Sequence, residues 1–181
     1  MTRVASILTT RIELVSLSPV FLDNLLGGRN FIAEGMGGFP LPSGWPDDAD
    51  KRFLKLRFDQ MRSEPESQQW LLRAMVLREG GRAMAGHIGF HGPPAERMLE
   101  LGYTVFPRYR RQGLATEAAQ AMMDWASMQT PVQRFRVSIG PDNEASLAMA
   151  AKMGFKQVGE QIDDVDGLEY VFELAAAPRL V

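Results

Sequence analysis

The junction between residues 106 and 126 constrains this chain more than any other part of the sequence. It reads FPRYRRQGLATEAAQAMMDWA, in which an arginine-dense turn around Gly113 runs directly into a strongly patterned helix. The first N–H groups of a helix have no internal partner and lie at the positive end of its dipole, so they bind anions. Glycine lets the backbone approach a ligand closely, and guanidinium groups pair with phosphate oxygens. The junction therefore predicts a phosphate site, with an ordinary solvated turn as the alternative.

The segments on either side of this turn favour the phosphate interpretation. Upstream, MLELGYTV alternates with the period of a strand, so that Leu99 and Leu101 share one face while Glu100 lies on the other. Downstream, apolar residues recur at helical spacing, and Pro131 follows the expected end of the helix. Strand, anion turn and helix therefore follow one another in that order.

In this context the sequence resembles the GCN5-related N-acetyltransferases (GNAT). The acyl-CoA pyrophosphate site of that family is written [RQ]-x-x-G-x-[GA], and this chain has RRQGLA from Arg110 to Ala115. A second family segment is matched by PDNEASLAMAAKMGF, with an Asn, a small residue three later and a Lys-x-Gly-Phe close. The opening TTRIELVSLSPVFLDNLL is similar to the Thr-x-Arg-x-x-Leu start of the RimJ and RimL branch, the ribosomal-protein N-terminal acetyltransferases. The resemblance spans residues 9–174 and is weak in the middle.

The resemblance implies an α/β protein with a mixed sheet of six or seven strands, flanking helices and a splayed central strand pair. One acyl-CoA N-acyltransferase domain is expected over residues 9–174, with the bulge of the splay at Gly102 or Tyr103. Gly35 to Pro46 is expected to be a loop. Periodicity and turn signals predict strands at 9–16, 69–78, 82–91, 98–105 and 133–139, helices at 18–26, 47–62, 113–129 and 143–153, and a last strand pair turning at Asp166-Gly167.

The same resemblance implies acetyl-CoA as co-substrate, bound by residues of both family segments. The backbone N–H of Val105 or its neighbour would face the thioester carbonyl. Asn143, which follows Pro141 and Asp142, is expected to cap the next helix and also to contact the CoA arm. The remaining cofactor-binding residues lie on the pyrophosphate turn and the first helical turn: Arg110, Arg111, Gln112, Gly113, Leu114, Ala115 and Thr116.

Attack of an amine on a thioester needs a base, an oxyanion donor and a hydrogen-bond donor for the departing thiolate. The chain contains no cysteine, so an acyl-cysteine intermediate is excluded. Glu100 is the predicted base, with a solvated strand residue as the alternative. Many family members carry a Tyr seven residues after the Asn, where this chain has Ala150. Ser146 is therefore the candidate donor to the sulfur, with helix capping as its alternative.

Composition restricts the partners of the chain. With a net charge of −2 over 181 residues and no apolar run long enough to span a bilayer, we expect a cytoplasmic protein with no nucleic-acid or membrane partner. His87 and His91 are four residues apart, but zinc sites use three or four ligands, so no metal is expected. A homodimer formed through a strand or a helix contact stays open.

The predicted function is direct transfer of an acetyl group from acetyl-CoA to a primary amine, on a small molecule or a peptide N-terminus. The absence of the usual tyrosine at Ala150 leaves a second class open, a non-catalytic acyl-CoA binding or regulatory module of the same fold. Four aromatic residues either wall the acceptor pocket or pack in the core, and the core is favoured for the two in the helix: Phe39, Trp45, Phe53 and Phe58.

Overall fold

The computed structural model describes residues 4–177, which build one mixed sheet between two layers of helices. The strands are β1 (Ile7–Leu8), β2 (Ile12–Ser16), β3 (Arg73–Leu77), β4 (Met84–Phe90), β5 (Met98–Val105), β6 (Arg134–Ile139), β7 (Lys156–Asp163) and β8 (Gly167–Ala175). The helices are α1 (Pro19–Leu26), α2 (Asn30–Gly37), α3 (Asp48–Ser63), α4 (Leu114–Gln129) and α5 (Glu144–Lys152). The strand order is β1-β2-β3-β4-β5-β6-β8-β7.

The central strands β5 and β6 form a parallel pair that parts after a short ladder. Pairing covers Met98 to Glu100 of β5, although β5 continues to Val105 and β6 to Ile139. Helix α4 is the crossover that a parallel pair requires. The predicted α/β class with splayed central strands is therefore confirmed. The sheet has eight strands rather than six or seven, in part because the opening residues form a hairpin of β1 and β2 instead of one strand.

The splay forms without a bulge in β5. The register of β4 against β5 is unbroken from Gly86 to Phe90, so the prediction of a bulge at Gly102 or Tyr103 is wrong. A register shift lies instead between β3 and β4, at Met75 and Val76. Residues of α5 line the crevice between the parted strands: Ser146, Met149 and Ala150.

Two apolar cores lie on opposite faces of the sheet. Helices α4 and α5 cover the first core, and helices α1 to α3 cover the second. Because side chains alternate along a strand, Met75 belongs to the first core and its neighbour Val76 to the second. Within residues 4–177, none of the helices is both long enough and apolar enough to cross a membrane.

Helices with clear end signals match their predicted bounds closely. Ser18 and Asp47 cap α1 and α3 through their side chains, and Asp47 forms a reciprocal capping box with Asp50. Helix α2 was not predicted and overlaps the start of the expected loop. Its N-cap residue, Arg29, makes no capping bond from its side chain, so the sequence carries no start signal there.

Candidate active site

The turn before α4 presents uncapped N–H groups to solvent. Arg111 and Gly113 have φ angles of +59° and +76°, in the left-handed region. Gly113 is the N-cap residue of α4 and no side chain caps the helix, so its first three N–H groups lack an intrahelical partner. The predicted residues that lie around this helix start are Arg110, Arg111, Gln112, Gly113, Leu114, Ala115 and Thr116.

The β1–β2 turn braces the turn before α4. Arg11 Nη1 donates to the carbonyl oxygen of Gln112 at 2.7 Å, and Arg11 Nε donates to Glu117 Oε2 at 2.6 Å. Thr9 Oγ1 donates to Glu117 Oε1 at 2.6 Å. Partial burial raises the pKa of Glu117, but the hydrogen bonds from Thr9 and Arg11 outweigh it and hold this pKa below its ordinary value. The Thr-x-Arg opening therefore positions the first turn of α4 and neutralises a carboxylate that would repel an anion.

The end of β5 is tied to the same turn. Arg110 Nε donates to the carbonyl oxygen of Val105 at 3.0 Å. Because the N–H of Phe106 donates to Ala85 on β4, alternation along the ladder turns the N–H of Val105 away from β4. Strand β6 pairs with β5 only as far as Glu100. The N–H of Val105 therefore faces the gap between the parted strands, where an extended ligand arm has room.

The start of α5 faces the same gap. Asn143 is the N-cap residue, and its Oδ1 accepts a hydrogen bond from the N–H of Ser146 at 3.2 Å. The predicted capping role of Asn143 is confirmed, whereas its contact with CoA stays a prediction. Ser146 does not supply the cap. Its Oγ instead accepts a hydrogen bond from the hydroxyl of Tyr103 at 2.9 Å.

Tyr103 is the functional candidate that sequence reasoning missed. Its ring lines the same narrow crevice as Ser146 and Ala150, where the expected tyrosine is absent. Burial raises the pKa of the Tyr103 phenol, and the hydrogen bond with Ser146 acts against this. The available signal was the strand period, which places Tyr103 on the face shared by Leu99 and Leu101 and so towards α4 and α5.

A cavity of about 400 Å³ lies on the α3 side of β4 and β5. Helix α3 lines it with Asp50, Phe53 and Arg57. Of the four aromatic residues considered for this wall, Phe53 alone lines the cavity. Phe39 and Trp45 are buried in the second core, and Phe58 packs against that core. The remaining lining residues include His87, His91, Gly102, Tyr103, Thr104 and Asp166.

Glu100 lies behind the lining of this cavity. Its carboxylate accepts a hydrogen bond from Ser138 Oγ at 2.7 Å and lies 3.7 Å from His91 Nδ1. The His91 side chain is half exposed and lines the cavity. Desolvation lowers the pKa of His91 and the charge of Arg57 lowers it further, while Glu100 opposes both. The predicted base is therefore separated from the cavity by one imidazole, which is neutral at physiological pH.

His87 is enclosed by aromatic rings. Its ring stacks on Phe53 at a centroid distance of 5.3 Å, and the rings of Trp45 and Phe106 are each 6.4 Å away. Burial lowers the pKa of His87 to about 4, and the charge of Arg57 acts in the same direction. Across residues 4–177, no cluster of three or more His, Asp or Glu side chains could hold a metal ion.

Comparison with known proteins agrees with this geometry. The family model of the acetyltransferase (GNAT) domain matches residues 33–156. The chain belongs to the GNAT acetyltransferase family. The family expected from the two matched segments is therefore confirmed.

Curated relatives of this GNAT chain match part of its length. The uncharacterized N-acetyltransferase YjdG of Bacillus subtilis is 32% identical over 82 residues, covering 45% of this chain and 49% of that protein. YoaA of the same organism is 30% identical over 89 residues, covering 49% of this chain and 50% of that protein. The match thus spans about half the length of these relatives.

Solved structures match the GNAT fold almost end to end. An acetyltransferase of the GNAT family from Bacillus anthracis has a TM-score of 0.64 at 20% identity, covering 95% of this chain and 99% of that one. RimL, the ribosomal L7/L12 alpha-N-protein acetyltransferase, in complex with coenzyme A, has a TM-score of 0.63 at 15% identity, covering 94% and 98%. At these identities the likeness shows the fold alone.

Proposed function

We propose that residues 9–174 form one acyltransferase domain that moves an acetyl group from acetyl-CoA directly to a primary amine, on a small molecule or a peptide N-terminus. One observation carries this proposal. Residue Tyr103 belongs to the lining of both the crevice beside α5 and the cavity under α3, so the space for a thioester and the space for an amine meet at one residue of β5. Family membership and the coenzyme A bound to RimL support acetyl-CoA as the donor.

The donor side uses groups that the fold already holds in place. The uncapped N–H groups of α4 would bind the pyrophosphate, and the exposed Arg110 and Arg111 add positive charge. The N–H of Val105 would donate to the thioester carbonyl as negative charge develops on it. Asn143, at the start of α5, would contact the CoA arm.

The residues that line the cavity and the crevice suggest which groups transfer protons. We assign Glu100 as the base acting through His91, because the imidazole lines the cavity while the carboxylate lies behind it. The amine forms its C–N bond to the acetyl carbon and gives a proton to His91. The C–S bond breaks, and the thiolate takes a proton from the Tyr103–Ser146 pair.

The deciding experiment is release of free CoA from acetyl-CoA by the purified protein, with and without each member of an amine panel. Amine-dependent release supports the enzyme. The alternative, an acyl-CoA binding or regulatory module, predicts a rise in melting temperature with acetyl-CoA by mass action but no amine-dependent release. The phenol of Tyr103, lying in the crevice where the usual tyrosine is absent, favours the enzyme over that alternative.

The base assignment has its own test within the same assay. Glu100→Gln and His91→Gln should each lower kcat, and each should flatten the acidic limb of the pH–rate profile. If Glu100→Gln leaves that profile unchanged while His91→Gln alters it, the carboxylate has no part in the proton transfer. Unfolding curves for both variants would show that the effect is not a loss of structure.

A further inference from the structure

Arg57 is a buried cation in the wall of the acceptor cavity. Its side chain is 9% exposed and lines the cavity from α3. Nη1 donates to the carbonyl oxygen of His91 and to Gln60 Oε1, each at 3.0 Å. Among the groups of residues 4–177, Nε and Nη2 have no hydrogen-bond acceptor, and no carboxylate forms an ion pair with the guanidinium. These two nitrogens are nevertheless not sealed from solvent.

Arg73 shows how this fold accommodates a structural arginine. It is fully buried, donates from Nη1 and Nη2 to the carbonyl oxygens of Ala5, Leu14 and Gln69, and packs over the ring of Trp125 at 5.0 Å. Only its Nε lacks an acceptor, and that atom is sealed from solvent. Arg73 does not line the cavity. In Arg57, by contrast, two of the three nitrogens of the guanidinium fork are left for a ligand. The Arg57 guanidinium also lies over the Phe53 ring, 5.2 Å from its centroid, but this contact gives the two free nitrogens no hydrogen-bond acceptor. A buried cation that lacks a carboxylate partner is costly, so its position beside a cavity favours an anion bound from outside.

The other charged groups near the cavity are carboxylates, which suit a cationic amine. Asp50 and Asp166 line it, and Glu100 lies behind His91, so the negative charge is spread over α3, the last hairpin and β5. His91 connects the two kinds of charge, because its carbonyl accepts from Arg57 and its ring lies 3.7 Å from the carboxylate of Glu100. A substrate amine in the cavity would therefore find the Arg57 cation near the backbone of His91 and the Glu100 carboxylate near its ring.

We propose that Arg57 is an anion subsite, and that the cavity takes a short amine carrying a carboxylate or phosphate a few bonds from its amino group. The planar guanidinium fork holds the oxoanion, and the amine faces His91, with Glu100 behind that imidazole. Binding at Arg57 would orient the amine without using a group that takes part in proton transfer. The inference rests on the proposed function, since it names the class of amine that the same site acetylates.

Matched amine pairs test this subsite in the CoA-release assay at saturating acetyl-CoA. 4-Aminobutyrate is compared with 4-aminobutanamide, and O-phosphoethanolamine with ethanolamine, so the two arms separate carboxylate from phosphate. At least one anionic amine should exceed its neutral mate by about tenfold to a hundredfold in kcat/KM, as expected for a charge-assisted pair. Arg57→Gln should remove this preference by raising KM for the anionic amines. The readout is the anionic-to-neutral ratio of kcat/KM, because loss of the Arg57 charge also acts on His91 and so changes the rate of both amines of a pair together.

Two further variants keep the result interpretable. Arg62→Gln removes an exposed arginine of the same helix and should keep the preference. Arg57→Lys retains the charge without the fork and should keep part of it, which also serves if Arg57→Gln fails to fold. An equal fall for anionic and neutral amines in both Arg57 variants would make Arg57 a structural residue and overturn the subsite.

The proposed function and the subsite can fail separately. If the neutral amines are acetylated with the same kcat/KM as their anionic counterparts, the subsite is wrong, but the acetyltransferase activity is still supported. If no amine drives release of CoA, the proposed function fails, and calorimetric binding of 4-aminobutyrate then decides the subsite. Binding that is lost in Arg57→Gln supports the subsite, whereas absent or equal binding overturns it.

Discussion

His87 should make the folded protein sensitive to mild acid. Burial among aromatic rings, helped by the charge of Arg57, lowers its pKa from 6.5 to about 4, so the folded state resists protonation that the unfolded chain accepts. Between these two values the unfolded state binds more protons than the folded state. The free energy of unfolding is therefore undiminished by His87 above pH 6.5, and it falls progressively as the pH is lowered from 6.5 towards 4.

The size of the effect follows from the two pKa values. The gap between 6.5 and about 4, at about 1.4 kcal/mol per pKa unit, corresponds to about 3 kcal/mol over the whole window. Between pH 7 and pH 5 the same values predict a loss of about 2 kcal/mol. That is a large part of the roughly 5–15 kcal/mol by which a domain is stable.

Urea unfolding at pH 7, 6 and 5 measures this loss directly. His87→Phe keeps a ring against Phe53 and removes the titration, so its unfolding free energy should change far less over the same range. The chain has two histidines, and His91→Gln is the matched control, because the half-exposed His91 contributes less. If His87→Phe loses as much stability as the wild type, the titrating group lies elsewhere and the argument from burial is wrong.

Three further variants test the donor side. Gly113→Ala places a Cβ at φ +76°, which should cost about 1–2 kcal/mol in thermal unfolding and raise the KM for acetyl-CoA. Tyr103→Phe should lower kcat by about tenfold to a hundredfold with the KM for acetyl-CoA nearly unchanged, and an unaltered rate would remove the phenol from the reaction. Thr9→Val should cost about 1–2 kcal/mol through the lost bond to Glu117 and weaken acetyl-CoA binding. The exposed Thr10→Val is its control, and equal effects of the two would show that Thr9 has no bracing role.

Sequence patterns correctly predicted helix ends and turns whose positions are determined by neighbouring residues. Helix α3 begins where Asp47 caps it, and the last hairpin turns at Gly167, whose φ of +77° suits glycine. The turn before α4 was also predictable as a turn, because Gly113 takes the left-handed conformation directly before the helix begins, whereas its binding of phosphate stays a prediction. Helix α2 lacked such a signal, and a short helix without a side-chain cap is stabilised mainly by packing.

Features that depend on contacts between residues far apart in the sequence could not be predicted from local patterns. The position of the register shift depends on how β3 and β4 align, which no local pattern records. The Tyr103–Ser146 bond joins residues 43 positions apart, and the Arg57–His91 bond joins residues 34 apart. The sequence supplied Glu100 as a candidate base, but only the packed structure places His91 between that carboxylate and the cavity.

The space beside α5 explains why the chain can hold a tyrosine at position 103 or at position 150, but not at both. Ala150 is 2% exposed and faces the same crevice as the Tyr103 ring, whose free volume of about 10 Å³ leaves no room for a second ring. A phenol at position 103 therefore requires a small residue at position 150. The helix position reaches only the crevice, whereas the strand position also borders the acceptor cavity. The Tyr103 hydroxyl itself lies in the crevice, where it donates to Ser146, so under the proposed function it would serve the thioester side of the site.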